Sequence, residues 1–193
     1  MKKPHHHGNL REALIRAGTE LLDEGGQAGL TLRKCAARAG VSHAAPAHYF
    51  NGLGGLLTAI AARGYEIFTA TMISEAEAGA SDPHACLLSI CQGYLRFSRD
   101  HEAMFNLMFS SEDLDYEDPD LRQNSAAAYA VLRDGCAPFI NVSTVDEGTE
   151  IMVWSLVHGF AGISRSGRRS PGGHLSRAVR FEDIFPVLGL KKT

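Results

Sequence analysis

Apolar residues recur every three to four positions along most of the chain, and nowhere do they alternate for long enough to argue for a sheet. The pattern predicts an all-helical protein of about nine helices. Leu10, Leu14, Ala17 and Leu21 line one face of a first helix. Asn9 with Glu12 has capping-box spacing, and Gly25, Gly26 and Gly29 end the helix after about residue 24. Thr31 caps a second, short helix with Cys35, Ala36 and Ala39 inward. Gly40 allows a left-handed turn, Val41 plugs the interior and Ser42 caps a third helix. Pro46 sits in its first turns and removes a closing N–H, so that start is expected to be distorted or shifted by a residue. Asn51, Gly52, Leu53, Gly54 and Gly55 read as a flexible elbow. A long helix from Leu56 through Ile60, Tyr65, Ile67 and Met72 towards Gly79 connects this head to a larger body.

In the body the same period predicts helices over about 84–98, 102–109, 120–137, 145–163 and 175–188. An acidic loop spans 110–119, and a loop rich in Gly, Ser, Arg and Pro spans 165–173. The organisation is therefore a disordered arm (1–8), a helical head (9–55), a connecting helix (56–79) and a helical body (80–193). There is no internal repeat.

Charge sharpens this division. The whole chain carries a net charge of −3. Residues 1–64 hold eight Lys/Arg against four Asp/Glu, whereas residues 65–193 hold eleven against eighteen. A basic head on an acidic body suits a duplex-binding domain joined to a non-binding one. Cys35, Cys86, Cys91 and Cys136 are spread through apolar helical patterns and read as buried thiols of a reducing cytoplasm. No run is apolar enough to span a bilayer, and the N-terminus lacks an apolar signal core. His5, His6 and His7 have no second cluster to complete a metal site.

The two short helices around Gly40 have the form of a helix-turn-helix, in which the first crosses the phosphate backbone and the second enters the major groove. Thr31, Arg33 and Lys34 at the start of the first are suited to phosphates, as is Tyr49 through its hydroxyl. Ser42, His43, Ala44, Ala45, Ala47 and His48 form the candidate base-reading surface. Small residues let a backbone approach the base edges, an alanine can touch a thymine methyl, and His43 can donate or accept. Phe50 should face inward. A three-helix subdomain that merely packs would have a similar composition.

Thr31 to Ala36, the run Ala39, Gly40, Val41, Ser42, and Tyr49, Phe50 followed by Leu56, Leu57 together resemble the N-terminal domain of the TetR family of bacterial transcriptional regulators. The run Ser42 to Pro46, with Trp154 and His158-Gly159, is similar to a subgroup with a Trp-His-Gly signature in the C-terminal domain. The resemblance implies a cytoplasmic homodimer on a roughly palindromic operator, most often a repressor, released when a small molecule enters the body. It also implies that helices 145–163 and 175–188 form the dimer interface. One departure stands out: Leu53 occupies the place of a lysine that usually contacts a phosphate, which removes one charge-assisted contact.

The body is rich in Phe, Met and other large groups: Phe97, Met104, Phe105, Leu107, Met108, Phe109, Tyr129, Ile151, Met152, Trp154 and Phe160. Such residues line adaptable apolar cavities, and equally make ordinary core. The candidate effector site is Phe105, Met108, Phe109, Tyr129, Trp154 and His158, with Trp154 and His158 sharing a helix face. An apolar effector with one or two polar groups fits it; His158 is also readable as a satisfied core histidine. Gly159, Gly162 and Ala178 offer close approach between copies, and Phe181 and Phe185 give the last helix an apolar surface. No carboxylate pair, metal-ligand spacing or phosphate loop accompanies His158, so neither catalysis nor a cofactor is predicted. Two other readings stand beside the regulator: a helical enzyme or carrier using His158 with Cys136, and a protein-interaction module with a degenerate head.

Overall fold

The computed structural model describes residues 7–78, 82–140, 145–165 and 179–192. They form α1 (His7–Gly29), α2 (Leu32–Arg38), a 3-10 turn (Ala45–His48), α3 (Gly52–Ala78), α4 (Pro83–Asp100), α5 (Glu102–Ser110), α6 (Pro119–Cys136), α7 (Gly148–Arg165), α8 (Phe181–Ile184) and a second 3-10 turn (Phe185–Leu188). Among the described residues the only β feature is an isolated antiparallel bridge between Phe139 and Lys192. The fold is all-α, as the hydrophobic period requires.

Two compact units result, one from the described residues of 1–66 and 101–126, the other from those of 67–100 and 127–193. The expected body of 80–193 is thus not one unit, because 101–126 packs with the head. In the first unit, Leu14, Ile15, Ala17 and Leu22 of α1 are buried with Cys35 and Ala36 of α2, and with Leu56, Leu57 and Ile60 of α3. Met104, Phe105, Leu107 and Met108 of α5 complete this core. In the second unit the core is Phe68 and Met72 of α3, Leu87, Ile90, Cys91, Tyr94 and Phe97 of α4, Cys136 of α6, Val153, Val157 and Ala161 of α7, and Phe181 and Phe185. A Cβ on Gly93 would lie 2.8 Å from the Met72 Cα, so α4 crosses α3 backbone against backbone at that point.

Several element boundaries differ from the sequence reading. Helix α1 begins at His7, so Asn9 is inside it rather than at its cap, and the expected arm reduces to residues outside those described. Gly26 is non-helical (φ 63°, ψ −174°) and divides α1 into two helical pieces, so the first ends at the glycines as the sequence predicts and a short second piece runs on to Gly29. Thr31 does cap α2, its Oγ1 accepting the Lys34 amide at 3.2 Å. Ser42 does not cap a regular third helix. Residues 42–44 form a turn, and only one 3-10 turn follows, from the uncapped Ala44 onward. Pro46 is the physical reason, because it lacks the N–H and disfavours helical geometry at Ala45. The turn closes instead on the Pro46 carbonyl, which accepts from both Tyr49 N (3.0 Å) and Phe50 N (2.9 Å). Val41 is half-buried rather than an interior plug.

The glycine elbow is not flexible chain. Gly52 to Gly55 form the first turn of α3, held by Thr58, which donates to Gly54 O and accepts from Asp115 N. Tertiary packing overrides poor helix propensity there. The last helix is also shorter than predicted: Val179 and Arg180 are non-helical and α8 is a single turn. Asp183 accepts the Arg180 amide at 3.0 Å to start it, and Pro186 converts its end into a 3-10 turn. The chain's end is tied back to α4, with His84 Nε2 bonded to Leu190 O at 2.9 Å and Lys192 paired with Asp82.

Candidate functional site

The head presents a small-residue surface on a buried anchor. Pro46 and Phe50 are buried, while Ser42, His43, Ala44, Ala47 and His48 are exposed and Ala45 is half-buried. The predicted reading residues therefore lie together on one turn, with Phe50 inward as predicted. The Arg11 guanidinium sits 5.9 Å from the Phe50 ring centroid, a cation–π contact that the spacing of 39 residues concealed. Tyr49 is half-buried and packs 6.4 Å from Phe50, so its ring is part of the anchor.

Beside this turn, Thr31, Arg33 and Lys34 are all exposed at the start of α2. Lys34 Nζ donates to Gly29 O at 2.8 Å, where it caps the end of α1. Arg38 is committed elsewhere: it grips Glu24 in a bidentate pair at 2.8 and 2.7 Å, which holds the Glu24 carboxyl below its ordinary range.

The six residues predicted to line an effector site fall into both units. Phe105 and Met108 are core of the first unit, and Phe109 packs there at a tilt against Phe105 (4.7 Å) and edge-on against Tyr65 (5.9 Å). Tyr129, Trp154 and His158 belong to the second. Tyr129 and Trp154 have ring centroids 6.5 Å apart. His158 Nδ1 lies 2.6 Å from the hydroxyl of Tyr94, a residue of α4 that sequence spacing gave no reason to select. Phe68 packs edge-on against Tyr94 at 4.9 Å. Burial and then the charge of Arg165 hold His158 below its usual value, towards the neutral imidazole. Burial pushes the Cys136 thiol up to about 12 and the Cys91 thiol higher still, so neither is poised as a nucleophile.

The predicted interface residues also divide. Gly159 is exposed and Gly162 half-buried on α7, and a Cβ on either meets nothing within 4 Å. Phe181 and Phe185 are only 2% and 6% exposed, because they turn into their own unit, with Phe181 5.4 Å from Phe160. They are core within the protomer, contrary to the apolar outer surface expected of them. Ala178 lies outside the described residues. On α7 the exposed large apolar groups are Ile151 and Ile163, spaced at four-residue steps with Ser155 and Gly159, while Val179 and Val187 are exposed near α8. Among the described residues no helix is long and apolar enough to cross a membrane.

Among the described residues the chain is thus all-helical, with a short helix and a turn bearing small exposed residues in its N-terminal part. The profile of the tetracyclin repressor-like C-terminal domain matches residues 87–184, half of the chain, and the chain belongs to that TetR family. A protein of unknown function from Rhodococcus sp. RHA1 is similar at 25% identity, TM-score 0.74, over 97% of this chain and 96% of its own. A TetR family transcription regulator from Marinobacter aquaeolei VT8 shares the fold at 14% identity, TM-score 0.65, over 96% and 97%. The fatty acid degradation regulator FadR from Bacillus halodurans does so at 14% identity, TM-score 0.65, over the full length of both. No curated protein matches the chain. The family consists of transcription regulators rather than enzymes, which sets aside the catalytic reading of His158 with Cys136.

Proposed function

We propose that this regulator is a cytoplasmic, homodimeric repressor whose residues 9–55 read a palindromic operator and whose second unit senses a small apolar effector. The observation that carries the DNA-reading part is the exposed run Ser42, His43, Ala44, Ala47 and His48 fixed on buried Pro46 and Phe50. A tip this small admits the backbone to a major groove, and one 3-10 turn supplies few side chains. Shape and phosphate contacts from Thr31, Arg33 and the α3 N-terminus then share in selection. Two heads of a dimer would occupy adjacent major grooves about 34–36 Å apart. The α7 face of Ile151, Ser155, Gly159, Gly162 and Ile163 supports the dimer contact, since its apolar residues are exposed and its glycines leave open space.

The sensing site is Tyr129, Trp154 and His158 with Tyr94. Effector binding favours a state in which the heads no longer match the operator, and binding of effector and operator are reciprocally coupled. A quantitative gel shift with the DNA flanking the protein's own gene tests the reading. Saturable binding that survives excess random duplex is expected. Binding no tighter than to random duplex would leave the head a packing subdomain.

A further inference from the structure

Two successive local geometries shape the exposed turn of the head. The Ser42 carbonyl accepts the Ala45 amide at 3.0 Å, which sets His43 and Ala44 at the corners of a turn. The 3-10 turn Ala45–His48 follows, with three residues per turn. Pro46 faces the core, Ala44 and Ala47 share a second side, and Ala45 and His48 share a third. Both imidazoles are exposed, near opposite ends of a surface otherwise made of alanine methyls and the Ser42 hydroxyl. Among the described residues neither ring has a hydrogen-bond, ion-pair or ring partner, whereas Lys34 is held by Gly29 O and Arg38 by Glu24.

The chemistry of base edges narrows what such a turn can read. Asn or Gln pairs with adenine, an acidic acceptor suits cytosine and Arg or Lys suits guanine, yet residues 42–49 contain none of these. An imidazole carries an N–H in each of its protonation states. Its two nitrogens point apart, so it gives a base edge one hydrogen bond rather than a bidentate pair. Guanine offers such a single donor two adjacent acceptors, N7 and O6, whereas adenine sets its N6 amino hydrogens beside N7. Thymine has one acceptor beside a methyl, which the alanines suit better. We infer that His43 and His48 are specificity-determining residues that each donate to a guanine, so that every operator half-site presents guanine N7 and O6 to both ends of the turn. This rests on the turn entering the major groove.

The experiment lets the full chain select duplexes from a random-sequence library. The selected half-sites are expected to hold guanine, on either strand, at two fixed positions. Replacing either guanine by 7-deazaguanine, which lacks the N7 acceptor, should weaken wild type about threefold to tenfold per half-site, the loss of one net hydrogen bond. Exchanging that G·C pair for A·T should weaken it similarly. His43→Ala and His48→Ala change exposed side chains. Each variant should become indifferent to 7-deazaguanine at one of the two positions and keep the wild-type affinity for random duplex, which separates base reading from attraction to phosphates. Selected half-sites without guanine, or a wild type indifferent to 7-deazaguanine, overturn the inference and keep the turn as a reader. Unchanged sensitivity in either variant assigns that guanine to another side chain and also overturns it. No enrichment of any sequence rejects the reading turn together with the inference.

Discussion

The Tyr94 hydroxyl and His158 Nδ1 lie 2.6 Å apart, so a hydrogen bond joins the middle of α4 to the middle of α7 across 64 positions of sequence. Tyr94 is 6% exposed and Phe68 covers its ring. A polar pair in such a place is costly to break from one side. His158→Leu should strand the Tyr94 hydroxyl and lower stability by about 1–3 kcal/mol, whereas Tyr94→Phe with His158 intact should cost about 1 kcal/mol. Urea denaturation at pH 7.5 measures both. Equal, negligible losses would mean that the pair contributes nothing to folding.

The same histidine sets a pH dependence. Burial first, and Arg165 second, lower its value in the folded protein below 6.5, where the unfolded chain takes up its proton. Between those two values the unfolded state binds more protons, so stability rises with pH. The contribution is complete above pH 6.5 and is lost as pH falls through the folded value. Wild type should therefore lose more stability than His158→Gln on going from pH 7.5 to 5.5. Parallel losses would place the titration elsewhere.

On the head, exposed Arg33 and the small tip should separate affinity from specificity. Arg33→Ala should weaken operator and random duplex by similar factors and lower the salt slope by about one or less. Ala44→Phe should abolish operator binding while leaving helicity intact, because Ala44 is exposed and its bulk meets DNA rather than protein. Gel shifts at several salt concentrations check both. Retained specific affinity of the Ala44 variant would move the reading surface.

Two substitutions distinguish core from interface. Phe181→Glu should unfold the second unit, since the side chain is buried in its own protomer and a carboxylate there lacks a partner. Ile163→Glu on the exposed α7 face should leave the fold intact and yield monomer, with operator binding lost alongside. Sedimentation and circular dichroism read the two outcomes. An Ile163 variant that remains dimeric would put the interface on another face.

The α3–α4 crossing admits no side chain at Gly93, where a Cβ would lie 2.8 Å from the Met72 Cα and 3.0 Å from the Thr71 carbonyl oxygen. Gly93→Val should cost about 1–3 kcal/mol or more, because the obstacle is backbone rather than a movable side-chain tip. Thermal unfolding measures it. An unchanged midpoint would show that the helices separate freely there.

The sequence by itself determined the helices, because burying one face of a 3.6-residue repeat depends only on positions near in the chain. Leu14, Cys35 and Ala36 were readable as inward, and all three are buried. It also determined the family, carried by the short motifs around Gly40, and the Thr31 cap, a bond three residues long. What it misjudged were competitions decided at a distance. The glycines at 52–55 read as an elbow, yet Thr58 and the 113–115 segment hold them in α3. Pro46 was visible, but not that its carbonyl would close a turn strong enough to replace a regular helix. Phe181 and Phe185 read as an outer face because periodicity gives a stripe's existence, not what covers it. Only tertiary structure brought Tyr94 to His158 and divided the predicted effector residues between two units. Each of those contacts joins helices far apart in the chain, and no local spacing encodes which helices meet.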